Sequence, residues 1–401
     1  MKVLVLVESL KVGGGSERFA ATLGTKLYDK GYDISYLTLM DESPKYKFKG
    51  DYYSLKIDDI YTNSVKRLYN LLKYSPKIKR ICNDLEIDTI IAVSEIGNFY
   101  AVTSRLLVKN KAHIIATQHM NPEIFLDNKL KFHSIKFFYP KANIVVCVSK
   151  ETEHILNQVY NISNTQTIYN MVDIQENIKL SQVELVPEYK DLFKEEHFNF
   201  INIGRLTRQK GQWFMIRSFK QVFERYPHAR LFILGDGPLK EDLEDLITKL
   251  DLNNHVFFLG EQDNVFPFLK NGDCFLFPSL WEGLPLVLIE ALSMDIPIIS
   301  SDCKTGPKEI LCPELDFEEK PNYPYLGKFA ILNEPFPNED DFNTINEKPL
   351  NRQEEKFANL MIEIIKSPNL RKNYSNGKIR AEKFDNDQIV TLWNELLKKL
   401  Y

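Results

Sequence analysis

Short apolar runs alternate with stretches of helical period along almost the whole chain, and this rhythm restricts the fold more than any single residue does. Residues 2–8, 34–39, 89–93, 114–116 and 144–148 read as buried strands, and 198–203, 231–234, 255–259, 274–278 and 296–300 repeat the pattern. Between them apolar residues recur at helical spacing, as Phe19, Leu23 and Leu27 do after the first strand. Strands that are apolar throughout belong to parallel sheets covered on both faces, and strand–helix–strand order makes a mostly parallel sheet. At 401 residues the chain exceeds what one core usually organises, so two such sheets are expected. The polar, charged stretch 174–197 reads as the linker between them. The expected domains are therefore 1–173 and 198–379, with a final helix within 380–401.

Composition narrows the class. With 44% hydrophobic and 26% charged residues, this is the make-up of an ordinary soluble globular protein. No apolar run reaches the roughly 18 residues that span a bilayer, and the run at residues 2–7 is too short for a signal-peptide core. Five cysteines without C-x-x-C spacing argue against a disulfide framework or a zinc site, so a reducing cytoplasmic compartment is expected.

In open α/β sheets ligands bind beyond the carboxyl ends of the strands, so the turns that follow the apolar runs are the places to look. The stretch Trp281 to Leu292 follows one such strand. Glu282 stands in its Gly/Pro-punctuated loop, and Glu290 lies in the first turns of the helix behind. Gly283, Leu284, Pro285 and Leu286 lead into that helix, where unpaired backbone N–H groups suit an anion. The turn Gly204 to Gly211 carries Arg205 and Lys210 after another strand. Near the N-terminus, Gly13, Gly14 and Gly15 separate a strand from a helix, so backbone can approach a phosphate closely. Their spacing is not G-x-G-x-x-G, and no Walker lysine follows, which excludes the dinucleotide and P-loop readings. Further strand ends are marked by Gly235 with Asp236 and Gly237, by Gly260 with Glu261, and by Gly306-Pro307-Lys308-Glu309-Ile310.

Taken in order, these elements resemble the retaining glycosyltransferases of family 4, the group 1 type with the GT-B fold. Glu282 and Glu290 match the E-x7-E signature, Gly204 to Gly211 matches G-R-x-x-x-x-K-G, and Gly14 to Arg18 matches G-G-[AS]-E-R. Ile168 to Asp173 resembles the segment that closes the first domain, with Tyr169 and Met171 replacing the usual Pro and Gly. Residues 312–337, rich in Pro and aromatics, depart from the family pattern and receive no role. The resemblance implies two Rossmann-like domains facing a central cleft, with the C-terminal helix crossing back to the N-terminal domain.

It also implies an activity: transfer of a hexose or N-acetylhexosamine from a nucleotide diphosphate donor, UDP-linked in most of the family, to a hydroxyl. Arg205 and Lys210 would take the diphosphate, Gly14 and Gly15 would approach it, and no metal or other cofactor is expected. Glu290 would hold the ribose hydroxyls. Glu282 and His119 would face the sugar, and the turns at Gly235 and Glu261 would complete the donor site. A lone histidine is also a common structural residue, and Ser149, after another strand end, reads better as a helix N-cap. Two alternatives stay open: a nucleotide-sugar epimerase or phosphorylase on the same fold, and a non-catalytic sugar-nucleotide-binding subunit of a glycan assembly complex.

Charge is unevenly spread. Residues 1–175 hold 23 Lys and Arg against 18 Asp and Glu (+5), and the remainder holds 28 against 37 (−9). Two acid-free stretches lie in the first half. Residues 63–80 mix Lys66, Arg67, Lys73, Lys77, Lys79 and Arg80 with Leu68, Leu71, Leu72 and Tyr74. Residues 128–141 mix Lys129, Lys131, Lys136 and Lys141 with Phe132, Phe137, Phe138 and Tyr139. Such mixtures suit an anionic membrane surface, and a merely solvated helix face has the same composition. With no nucleic-acid motif and a pI near 6.1, nucleic acid is not expected. A lipid-linked or cell-envelope saccharide acceptor follows as the expectation, with the protein cytoplasmic and peripheral to the inner face of the membrane.

Overall fold

The computed structural model describes residues 1–11, 15–44, 46–60, 62–126, 128–194, 196–338 and 348–400. The chain divides into two units, Met1–Met171 with Asn386–Tyr401, and Val172–Asp385.

The first unit is built on β1 (Lys2–Val7), β2 (Asp33–Thr38), β3 (Asp51–Ser54), β4 (Thr89–Ala92), β5 (His113–Gln118), β6 (Ile144–Cys147) and β7 (Thr165–Thr167). Their order is β3-β2-β1-β4-β5-β6-β7, and every pairing is parallel. Helices α1 (Gly15–Asp29), α2 (Ser64–Asp84), α3 (Ser94–Val108), α4 (Lys129–Phe138) and α5 (Lys150–Gln158) connect the strands. The apolar run of β1 is explained by its two covered faces. Val3, Val5 and Val7 join Phe19, Leu23 and Trp393 on one side, while Leu4 and Leu6 join Tyr74, Ile78 and Tyr100 on the other. The last helix, Asn386–Lys399, completes the first of these cores: Trp393 lies 6.0 Å from Phe19 between ring centroids, and Tyr32 OH donates to Asn394 Oδ1 at 2.7 Å.

The second unit repeats the plan with β8 (Phe198–Ile203), β9 (Ala229–Leu234), β10 (Val256–Gly260), β11 (Cys274–Phe277), β12 (Ile298–Ser301), β13 (Tyr325–Leu326) and β14 (Ile331–Asn333), in the order β10-β9-β8-β11-β12-β14-β13. Among the described residues only β13 runs antiparallel, against β14. Its helices are α6 (Ile174–Leu180), α7 (Pro187–Lys190), α8 (Gln212–Arg225), α9 (Lys240–Lys249), α10 (Phe266–Lys270), α11 (Leu286–Ser293) and α12 (Pro307–Leu311), then Arg352–Lys366 and two short ones, Pro368–Asn373 and Lys378–Ala381. The helix Arg352–Lys366 starts in a capping box, with Asn351 and Glu354 satisfying each other's backbone. Its Glu354 also meets buried Arg217 of α8 at 2.6 Å.

Three stretches differ from their reading in the sequence. Residues 174–197 are not an open linker but belong to the second unit. Ile174 and Asn177 of α6 are buried, Asn264 Nδ2 donates to Leu180 O at 2.9 Å, and Tyr189 packs on Phe268. Many charged residues conceal the short amphipathic pattern. The final helix, Asn386–Lys399, lies within the expected 380–401, but the turns before it stay with the second unit rather than the first. Residues 312–337 supply β13 and β14, with β14 buried throughout.

Candidate active site

Strand order reverses between β8 and β11 in the second unit, and such a switch point is where open α/β sheets bind ligands. One loop is 204–211 and the other 278–285. They are stitched together by Leu280 N donating to Gln209 O at 2.8 Å. Across this junction Lys210 Nζ lies 2.6 Å from Glu282 Oε1, with side chains 21% and 7% exposed. Gln209 Nε2 donates to Glu282 Oε2 at 3.1 Å and to Trp281 O at 2.9 Å. The carboxylate is thereby held at both oxygens. An ammonium has three N–H donors, and Glu282 is the one hydrogen-bond partner of Lys210 Nζ among the described residues, with the Phe277 ring centroid 6.0 Å away. Arg205 is exposed, its carbonyl receiving Gln212 Nε2 at 3.1 Å, and its guanidinium meets no partner among the described residues.

The neighbouring strand ends stack beside this pair. Gly204 N donates to Leu234 O at 2.9 Å and Gly235 N to Gly260 O at 2.7 Å. Gly235 adopts φ +133, and a Cβ there would stand 2.2 Å from Gly204 O, so only glycine lets the turn pack against the Arg205 loop. Glu261, next in line, is exposed.

Behind Glu282 lies a second turn, 302–306. Glu282 N donates to Lys304 O at 2.7 Å. The Thr305 hydroxyl donates to the carbonyls of Glu282 and Gly283, both at 2.9 Å. At Gly306, φ +98, a Cβ would meet Pro285 Cδ at 2.6 Å. Gly283, Leu284 and Pro285 are buried, and α11 starts at Leu286 with Pro285 as its cap residue. The free donors at this helix start are fewer than the sequence suggests, since Leu288 N already donates to Pro285 O at 3.0 Å. Glu290 sits on α11 and is 7% exposed. The structure thus brings Lys210 and Glu282 together and sets Arg205, Gly235 and Glu261 along the same sheet edge.

In the first unit, Gly14 lies outside the described residues. Gly15 opens α1 and is exposed, with nothing within 4 Å of where a Cβ would stand. His119 follows β5. Its Nε2 is 2.9 Å from Thr117 Oγ1, whose own proton goes to Ala92 O at 3.0 Å. That leaves Nε2 as the donor and Nδ1 as a bare acceptor. Nδ1 is buried with no partner among the described residues, and Phe19 packs edge-on against the ring at 4.7 Å. Burial pushes the imidazole down to about 4, so the ring is neutral near pH 7. Ser149 is a helix cap, as expected: its Oγ accepts from Thr152 N at 3.1 Å.

Gln209 and Thr305 were not identified from the sequence. Gln209 adjoins Lys210 and could have been suspected from that position. Thr305 has no local signal, because its partners lie over twenty residues away.

The profile described as glycosyl transferases group 1 matches residues 188–317, and that of glycosyltransferase family 4 matches residues 13–176. An uncharacterized glycosyltransferase of Methanocaldococcus jannaschii is 41% identical over 93% of this chain and 94% of its own length. The N-acetylgalactosamine-N,N'-diacetylbacillosaminyl-diphospho-undecaprenol 4-alpha-N-acetylgalactosaminyltransferase of Campylobacter jejuni is 29% identical over 74% of this chain and 80% of its own. Among solved structures, Anabaena HepE in complex with UDP-glucose is similar in fold, with a TM-score of 0.73 at 19% identity, covering 100% of both chains.

Proposed function

Because the chain belongs to the glycosyl transferases of group 1, with the two parallel sheets of the GT-B fold, we propose that it moves a hexose or N-acetylhexosamine from a UDP-linked donor to a hydroxyl of a lipid-linked or cell-envelope saccharide. The α configuration is retained and no metal is used. The observation that carries this reading is the Lys210–Glu282 pair beside exposed Arg205 at the switch point of the second sheet. As the bond from the sugar to the diphosphate breaks, negative charge grows on the leaving oxygens. The Arg205 guanidinium and an ammonium held in place by Glu282 stabilise that charge without reorganising. Glu282 accepts from sugar hydroxyls, Glu290 from the two ribose hydroxyls, and the backbone around Gly235, Glu261 and Gly283 to Leu286 completes the donor contacts. His119 faces the same sugar as a neutral imidazole. The acceptor attacks from the side the diphosphate leaves, and the departing oxygen takes its proton. The UDP-glucose seen with HepE and the diphospho-undecaprenol saccharide in the name of the Campylobacter relative support the donor and acceptor classes.

No helix among the described residues is long and apolar enough to cross a membrane. We propose peripheral contact through α2 and α4. Val65, Leu68, Tyr69 and Leu72 form one exposed stripe on α2, and Leu130 and Phe137 are exposed on α4. Lysines flank both sets, as Lys73 does over Tyr69 at 5.7 Å and Lys141 over Phe137 at 3.7 Å.

The test begins with calorimetric screening of nucleotide sugars, followed by transfer assays. Arg205→Ala is expected to remove about 2.7–4 kcal/mol of transition-state stabilisation, and turnover is expected to survive a chelator. A near-wild-type rate in Arg205→Ala, or loss of turnover with chelator, overturns the mechanism. Donor incubated alone separates transfer from epimerisation.

A further inference from the structure

Residues 312–326 have no task in the mechanism above. They leave α12 and return as β13 at the sheet edge, and on the way they grip one buried cluster. Tyr323 OH donates to Asp302 Oδ2 at 2.5 Å. Lys308 Nζ lies 3.4 Å from the same oxygen, and the two side chains are 14% and 3% exposed. That ammonium also donates to the carbonyls of Phe317 at 3.2 Å and Glu319 at 2.6 Å. Tyr323 is anchored in turn, since Lys356 Nζ donates to its carbonyl at 3.3 Å and meets Glu334 at 2.9 Å. A buried carboxylate is tolerated only when its oxygens are satisfied. The 312–326 segment supplies the Tyr323 hydroxyl directly, and the carbonyls of Phe317 and Glu319 hold Lys308 against it.

Asp302 begins the turn that clamps the Glu282 loop. Two residues on, Lys304 O accepts from Glu282 N. Thr305 then binds two carbonyls of that loop, and Gly306 packs on Pro285. We propose that Tyr323 is a positioning residue for Glu282: the 312–326 segment braces Asp302, and the 302–306 turn passes that constraint to the loop that presents the carboxylate. The proposal rests on Glu282 being the sugar-contacting carboxylate.

The full chain is compared as wild type, Tyr323→Phe, Glu282→Gln and the double variant. Amide hydrogen exchange is read on the unliganded proteins, and UDP and UDP-glucose binding by calorimetry. Tyr323→Phe is expected to speed exchange at the Glu282 amide about tenfold while β8 stays protected. It is expected to weaken UDP-glucose about tenfold and UDP by less than twofold, which also shows that the nucleotide site is still folded. In the double variant the two losses should not add, as for residues acting through one contact. An unchanged Glu282 amide, or additive losses, overturns the brace. An unchanged UDP-glucose affinity in Glu282→Gln overturns the sugar contact itself, and the proposal with it, on a separate readout.

Discussion

Glu282 and Glu290 are both buried carboxylates of one E-x7-E element, and the proposed function gives them different work. Glu282 is pinned by Lys210, Gln209 and the 302–306 turn, so Glu282→Gln disturbs the placement of an ammonium as well as a sugar contact. We expect it, besides weakening UDP-glucose binding, to lower kcat by tenfold to a hundredfold, the range of a hydrogen bond to a charged group worth about 1.5–3 kcal/mol. Glu290→Gln is expected to raise the donor KM by a similar factor with kcat nearly unchanged. Steady-state kinetics of both variants check the split. His119 makes a pH prediction. Its folded value near 4 lies below the ordinary 6.5, so the unfolded chain binds the extra proton between those values. The resulting stability is present above pH 6.5 and is lost as pH falls towards 4. The size is about 3 kcal/mol, from roughly 1.36 kcal/mol per unit. Denaturant unfolding at pH 7.5, 6 and 5 should show the slope in the wild type and a shallower one in His119→Asn. Arg205, Lys210 and Glu282 were readable in the sequence because each sits in a strand-end turn with its own spacing. Asp302, Thr305 and Tyr323 were not, because their significance lies in partners distant in the chain and no local pattern announces them.

At the scale of elements, legibility follows burial. Strands covered on both faces, such as β1, β5 and β8, carry an apolar run that periodicity detects. The edge strands β3 (Asp-Tyr-Tyr-Ser) and β7 (Thr-Gln-Thr) are only partly buried or exposed, and nothing apolar marks them. The α6 helix escaped because three apolar positions do not outweigh its charged and polar neighbours. One element depends on a single buried pair. Arg217 is 3% exposed, and it binds Glu354 together with the carbonyls of Lys348 and Pro349. Glu354→Ala would leave that guanidinium without its buried carboxylate and remove the capping box of Arg352–Lys366. A loss of about 3–5 kcal/mol is expected, measurable as a lower denaturation midpoint with an unchanged slope.

For the whole molecule, the uneven charge and the α2 stripe converge on a surface property. Lys66, Arg67 and Lys73 flank exposed Val65, Leu68, Tyr69 and Leu72 on one helix. If that face meets anionic lipid, each cation contributes about 1 kcal/mol near the surface. Replacing all three by Gln should weaken sedimentation with phosphatidylglycerol vesicles about a hundredfold, with little capture by phosphatidylcholine vesicles in either protein. Equal capture of wild type and variant would show that the basic face is merely solvated.

The last helix has a consequence for biosynthesis. Trp393, Leu396 and Leu397 fill a core whose other walls, Val3, Val5, Phe19 and Leu27 among them, are made before any of the second unit. The first sheet must therefore wait on the ribosome with part of that face uncovered while the second unit is synthesised and folds. Nascent chains arrested before residue 386 should display a protease-resistant second unit joined to a first unit that is still cleaved readily.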